Sequence, residues 1–66
     1  MRTFLCLWSD RPNQWQDVKV VEGFSFFNDD NGYDREHRIK VNQLLSGQEV
    51  DLSDGISQWH SVRRLI

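Results

Sequence analysis

The chain has 66 residues, with eight basic and ten acidic side chains and a net charge of −2. A chain of this length forms one domain and buries only about 60% of its unfolded surface. The nearly balanced charge argues against a broad nucleic-acid footprint and against an acidic mimic of DNA. A single cysteine excludes an internal disulfide framework. We therefore predict one small globular domain spanning residues 1–66.

The first segment of the chain is short and apolar. Residues 1–8 contain one basic residue and an apolar run too short for the core of a signal peptide. No stretch approaches the roughly 18 apolar residues that a membrane span requires. Together with the lone thiol, these features predict a cytoplasmic protein that does not enter a membrane. The β-forming composition of Arg2–Trp8 predicts a first strand with both faces partly covered.

A polar loop over Ser9–Gln14 contains the only proline and follows this strand. Trp15 lies at its far end, and three valines within Gln16–Glu22 predict a second strand. The two strands are expected to form a hairpin. A dense apolar segment then runs into Asn28–Gly32, where the turn-forming residues predict a short helical turn ending at Gly32.

The principal helix is predicted over Asp34–Ser46. Asp34 is a suitable N-cap, and Gly47 can adopt the left-handed conformation that ends a helix. One face of this helix would carry His37, Val41, Leu44 and Leu45. The alternative is a strand, because residues 36–42 alternate strictly between polar and apolar and Ile39 falls outside the proposed helical face.

Two further strands are predicted after the helix, over Gln48–Leu52 and Ile56–Ile66, joined by a turn at Asp54-Gly55. The predicted fold class is α+β: a small four-stranded, mainly antiparallel sheet in the order β-β-α-β-β, with one principal helix packed on one face. The expected core contains Phe4, Leu7, Val20, Phe24, Phe27, Val41, Leu44, Val50 and Val62.

Four short motifs are spread over most of the chain. They are Trp8-Ser9-Asp10-Arg11-Pro12, Asn31-Gly32-Tyr33, Leu44-x-x-Gly47-Gln48-x-Val50 and His60-Ser61-Val62-x-Arg64. Together they resemble short uncharacterised open reading frames of bacteriophages and prophages. The resemblance implies a phage-like origin. With the cytoplasmic location predicted above, the protein is expected in the cytoplasm of a bacterial host cell. It assigns no function and no functional residue.

The sequence gives little support to metal binding or catalysis. If Gly32 took the sixth position of a calcium loop, Phe27 and Arg38 would occupy positions one and twelve, where oxygen ligands are needed. Cys6, His37 and His60 are scattered singly, without the spacing of a zinc site. Cys6 lies among apolar neighbours, as inert buried thiols do. We predict no enzyme, no metal and no cofactor.

Aromatic and basic residues provide the candidate binding sites. Trp15 beside the Arg11 loop has the composition of a protein-binding hot spot, whereas a simpler interpretation has Trp15 covering the end of the sheet. The alternative site is the last strand, with Trp59, His60, Arg63 and Arg64 available for stacking and phosphate contact. Two arginines are too few for strong nonspecific DNA affinity.

These residues predict a small protein-binding accessory module, such as a phage-encoded factor or inhibitor that acts on a host or viral protein. A nucleic-acid-associated protein is the first alternative. A structural homodimer formed by pairing an uncovered edge strand is the second.

Overall fold

A computed structural model describes residues 2–11, 14–55 and 58–66. Its elements are, in chain order, β1 (Thr3–Ser9), β2 (Asp17–Glu22), a 3₁₀ turn (Asp29–Asn31), α1 (Arg35–Asn42), β3 (Glu49–Asp51) and β4 (Trp59–Arg64). The predicted α+β class with a four-stranded antiparallel sheet and one α-helix is confirmed. Pro12 and Asn13 of the predicted loop, and Ile56 and Ser57 of the predicted fourth strand, lie outside the described residues.

The four strands form one sheet in the order β2-β1-β4-β3, and every pairing is antiparallel. The two central strands, β1 and β4, have seven and six residues, and each pairs with a neighbouring strand on both sides. Strands β2 and β3 are therefore the edges of the sheet. Within the described part of the chain, neither helix is long and apolar enough to cross a membrane.

The core lies against one face of the sheet. Directly opposed residues of neighbouring strands point to the same face, so the opposed set Val21, Phe4 and Arg64 and the opposed pair Cys6 and Val62 lie together on that face. Phe27 is the centre of the packing, because the ring centroids of four aromatic residues lie within 5.7 Å of its own: Phe4, Phe24, Phe26 and Tyr33. The helix contributes Val41, which is fully buried.

The helix begins where the sequence predicts. The Asp34 side chain accepts a hydrogen bond from the His37 backbone N–H at 2.9 Å, which confirms the predicted N-cap. The strand alternative for residues 36–42 is wrong, because the helix covers Arg35–Asn42. Ile39, which falls outside the predicted helical face, is exposed.

The predicted end of the helix, at Ser46, is four residues too late. Arg64 on β4 donates a hydrogen bond to the Leu44 carbonyl at 2.8 Å, and the Gly47 N–H donates to the Arg64 carbonyl at 2.7 Å. These contacts turn the chain back towards the sheet after Asn42. Gly47 still has a positive φ of 85°, but in the turn that follows rather than at the end of the helix.

Two predicted core residues lie on the other face of the sheet. Val20 is opposite Leu5 and is 56% exposed, whereas the next residue, Val21, points into the core. Leu7 is opposite Val18 on the same outer face and is only half-buried. Because Val20 and Val21 are adjacent in β2, the sequence does not reveal which of them faces the core. A shift of the strand by one residue would exchange its two faces.

Leu44 and Leu45 provide a matched pair for testing this packing, because they are adjacent leucines that are 6% and 64% exposed. Replacing Leu44 by Ala removes buried methyl groups and is expected to lower the free energy of unfolding by about 2–5 kcal/mol. Replacing Leu45 by Ala should change it by less than about 0.5 kcal/mol. Urea denaturation of both variants measures the difference, and equal losses would contradict the position assigned to the chain after α1.

Candidate functional site

The face of the sheet opposite the helix, called here the open face, is apolar on one half. Val18 and Val20 of β2 lie opposite Leu7 and Leu5 of β1, and these four side chains form one continuous patch. Val18 and Val20 are 61% and 56% exposed, and Leu5 and Leu7 are half-buried. Contiguous exposed apolar surface of this kind is typical of interaction sites, whereas single exposed apolar residues are ordinary.

The patch continues to an unpaired strand edge. The Gly23 N–H donates to the Arg2 carbonyl at 2.6 Å, so Gly23 and Arg2 form a hydrogen-bonded pair. In an antiparallel ladder such pairs occur at every second residue. Val21 and Lys19 therefore direct their backbone groups towards β1. Val18, Val20 and Glu22 direct theirs away from the sheet, since β2 is an edge strand. The exposed valines and the unpaired backbone groups belong to the same residues.

The other half of the open face is polar. Glu49 lies opposite Arg63, and Asp51 lies opposite Ser61. Ser61 is buried, and its hydroxyl donates a hydrogen bond to the Glu49 carboxylate. This half therefore contains exposed charged side chains and the Ser61–Glu49 hydrogen bond, whereas the apolar half is left uncovered by the described residues.

The predicted hot-spot residues lie beside the start of β2. Trp15 precedes the strand by two residues and is 44% exposed. Arg11 is exposed, and its guanidinium lies 3.9 Å from the Asp10 carboxylate. Ser9 shapes this loop, because its hydroxyl accepts from the Arg11 N–H and donates to the Arg11 carbonyl. Both predicted residues are accessible at one end of the apolar patch.

The alternative basic and aromatic residues do not form one surface. Arg63 and Arg64 are consecutive in a strand and point to opposite faces of the sheet. Arg64 lies on the helix side and donates to the carbonyl oxygens of Leu44 and Ile66. Trp59 is half-buried on the open side, where it lies opposite Ser9. His60 points to the helix side and is half-buried.

His60 belongs to a buried hydrogen-bonded chain. Its Nδ1 lies 2.8 Å from the Leu7 carbonyl, which can only accept, so Nδ1 carries the proton. Nε2 of the neutral ring then accepts a hydrogen bond from the Tyr33 hydroxyl at 2.8 Å. The ring also stacks on Trp8, with centroids 4.7 Å apart and planes 8° apart. The neighbourhood forms a cavity of about 250 Å³, which His37 also lines.

The environment of His60 opposes its protonation. Burial lowers the pKa of His60, and the nearby His37 lowers it further, whereas the hydrogen bond to Leu7 and the Asp51 carboxylate act in the opposite direction. Burial also raises the pKa of the Tyr33 hydroxyl. At neutral pH this group is therefore an uncharged structural pair that fixes the position of the Trp8 ring.

Cys6 has the properties of an inert thiol. It is fully buried, and burial raises its pKa to about 11, with a smaller opposing effect from Lys19. The thiol is therefore protonated at neutral pH. Across residues 2–11, 14–55 and 58–66, no three His, Cys, Asp or Glu side chains gather as metal ligands. The predictions of no catalysis and no metal requirement remain predictions.

Sequence reasoning missed the apolar patch because it assigned Val20 and Leu7 to the core. The available signal was the run of three valines in a six-residue strand, which is more apolar than one buried face requires. If β2 had been known to be an edge strand, the additional valines would have indicated an exposed apolar surface. The order of strands is a property of the whole fold, and it cannot be read from the segment alone.

No protein-family model, curated protein or solved structure matches this chain.

The buried neutral His60 predicts a pH dependence of stability. Because its pKa is lower in the folded than in the unfolded chain, the unfolded chain binds the proton first as the pH falls. The full contribution is present above the unfolded pKa of about 6.5 and is lost as the pH falls from there towards the lower folded pKa. Denaturation between pH 7.5 and 5 measures this loss. His60→Gln should remove much of the dependence, whereas His37→Gln should retain most of it, because that change removes only the smaller effect of His37 on the His60 pKa. Equal losses of the pH dependence in the two variants would contradict the assignment to His60.

Proposed function

We propose that the protein is a small binding module that captures an extended segment of another protein along β2. The observation that carries this proposal is the coincidence, in Val18 and Val20, of exposed apolar side chains and unpaired backbone groups. Backbone hydrogen bonds give such a pairing its affinity, and alternate side chains give it specificity. The segment would place apolar residues beside Val18 and Val20 and extend the sheet by one strand.

A second copy of the chain would meet a conflict in two of the symmetric registers that this edge allows. These registers are the antiparallel pairings centred on Lys19 and on Val20. The first arrangement puts Lys19 directly opposite Lys19 of the copy, and like charges in this position are destabilising. The second puts Val18 opposite the Glu22 carboxylate of the copy. A segment of different sequence can avoid both conflicts.

The partner is proposed to be a protein rather than a nucleic acid. The four residues of the patch are apolar, and the exposed Arg63 borders them on the same face, opposite Leu5. Arg63 and Arg64 point to opposite faces and cannot neutralise phosphates on one surface. The resemblance to short phage reading frames favours a partner made by the bacterial host or by the phage itself.

Val20→Lys tests the proposed edge, with Ile39→Lys as the matched control. Val20 and Ile39 are 56% and 45% exposed, so each change adds one positive charge at an exposed apolar site. The control lies on α1, across the molecule's core from the open face. Exposed substitutions of this kind usually change stability by about 0.5 kcal/mol or less. Binding differences between the two variants therefore report on the surface rather than on folding.

We expect the wild type and Ile39→Lys to capture the same protein from host or infected-cell lysate, and Val20→Lys to lose it. The captured protein must then bind purified wild type saturably, with at least tenfold weaker binding to Val20→Lys. Equal binding by the two variants would reject the edge. Capture that disappears with nuclease would favour a nucleic acid, and a wild-type dimer dispersed by Val20→Lys in sedimentation would favour a second copy.

Trp15 provides a separate prediction, because it is exposed immediately before β2. A partially exposed ring at the end of the binding edge is expected to act as an anchor. Trp15→Ala should weaken association by about 2 kcal/mol or more and change the free energy of unfolding by less. Calorimetry with the captured protein and urea denaturation give the two values. A loss of several kcal/mol in stability would instead make Trp15 a structural residue.

A further inference from the structure

We propose that a cleft at one end of the sheet, called here the terminal cleft, accepts the guanidinium group of an arginine side chain. The cleft has a volume of about 290 Å³ and lies where β1 ends and both β2 and β4 begin. Its lining includes two indole rings, two carboxylates and two side-chain amides: Trp8, Trp59, Asp10, Asp17, Gln16 and Gln58.

The two indoles approach the cleft from different sides of the sheet. Trp8 is on the helix side, and Trp59 lies opposite Ser9 on the open side, so the cleft wraps around the end of β1. Aromatic faces attract cations, and the planar guanidinium stacks on them better than a compact ammonium group does. The apolar part of the wall therefore suits a flat cation.

The polar part of the wall consists of hydrogen-bond acceptors. Asp10 and Asp17 are exposed carboxylates, and the amide oxygen of Gln58 can accept as well. The Gln16 amide oxygen accepts from the Asp10 backbone N–H at 3.5 Å, and its second lone pair can accept from a ligand. A guanidinium carries five N–H donors and no acceptor, so it can use several of these groups together. No Lys or Arg lines the cleft, and Asp17 forms no salt bridge within the described ranges.

Among residues 2–11, 14–55 and 58–66, Arg11 is the cation that lies beside a carboxylate of the cleft. Its Nε lies 3.9 Å from Asp10, and both side chains are mainly solvent-exposed. Such a pair contributes little, because water screens it and two long side chains must be ordered. Asp17 and the indole rings remain available to an arginine supplied from outside.

The position of the cleft also gives the proposed partner a chemical identity. Asp17 is the first residue of β2, so a segment added beside Val18 and Val20 would reach the cleft at its end. This extension rests on the proposed function. The partner segment would carry alternating apolar residues and an arginine at the end nearest Asp17. The affinity of the cleft for a guanidinium can be measured without that partner.

The test titrates the whole protein with N-acetyl-arginine amide and follows the indole N–H signals by NMR. We expect saturable binding with a dissociation constant of roughly millimolar size, the scale on which one small group binds. The largest shifts should occur at Trp8 and Trp59. N-acetyl-lysine amide should bind more weakly, and N-acetyl-norleucine amide, which lacks the charge, should not saturate.

Asp17→Asn and Glu22→Gln form the matched pair of variants, since each removes one exposed carboxylate from an end of β2. Loss of the exposed ion pair in Asp17→Asn should weaken arginine-amide binding about threefold, whereas Glu22→Gln should leave it unchanged. Absence of saturable binding, equal binding of norleucine amide or lysine amide, or equal effects of the two variants would overturn the proposal.

The outcome is separable from that of the edge-strand experiment. Val20→Lys should retain binding of N-acetyl-arginine amide, because Val20 does not line the cleft. If the arginine derivative binds but Val20→Lys still captures the protein partner, the edge is rejected and the cleft stands. If the derivative fails to bind while Val20→Lys abolishes capture, the cleft is rejected and the edge stands.

Discussion

The packing of Phe27 against one face of the sheet is the interaction on which the rest of the structure depends. Phe27 is 2% exposed and lies among four other aromatic rings. Each large ring removes roughly 150–250 Å² of surface from water. Among the described residues, α1 and the aromatic cluster cover one face of the sheet. The open face remains exposed, and its apolar half borders the proposed binding edge.

Sequence reasoning succeeded where the signal is local. Asp34 as N-cap, the turn at Gly32 and the hairpin between β1 and β2 depend on a few neighbouring residues, and the structure has all three. The strong local preference of a carboxylate for the first N–H groups of a helix explains the first of these. The helical interpretation of residues 36–42 was correct for the same reason, despite the strand-like alternation.

Prediction failed where the outcome depends on distant parts of the chain. The helix ends at Asn42, and the chain that follows it is held by Arg64, which lies twenty residues beyond Leu44 and donates to the Leu44 carbonyl. Val20 is exposed and Val21 is buried because β1 presents Phe4, rather than Leu5, to the helix. Neither choice is encoded near the residue concerned. The candidate binding edge could not be recognised from sequence for the same reason, since edge position is defined by the order of all four strands.

The buried polar chain connects the core to the terminal cleft. His60 is held at both ring nitrogens, by Leu7 and by Tyr33, and Trp8 stacks on its face. Because Trp8 stacks on this fixed ring, the indole loses little further freedom when a ligand stacks against it. The entropic cost of binding is reduced accordingly. Tyr33 also contacts Phe27, so the same aromatic cluster that stabilises the fold supports one wall of the cleft.

The other wall of the cleft, Trp59, belongs to β4 and is positioned by its pairing with β1. The two indole walls of the cleft thus come from the central strands, whereas the proposed binding edge belongs to β2, which pairs on one side only. A partner segment that uses both would have its arginine fixed by a preformed site while its remaining residues order along β2.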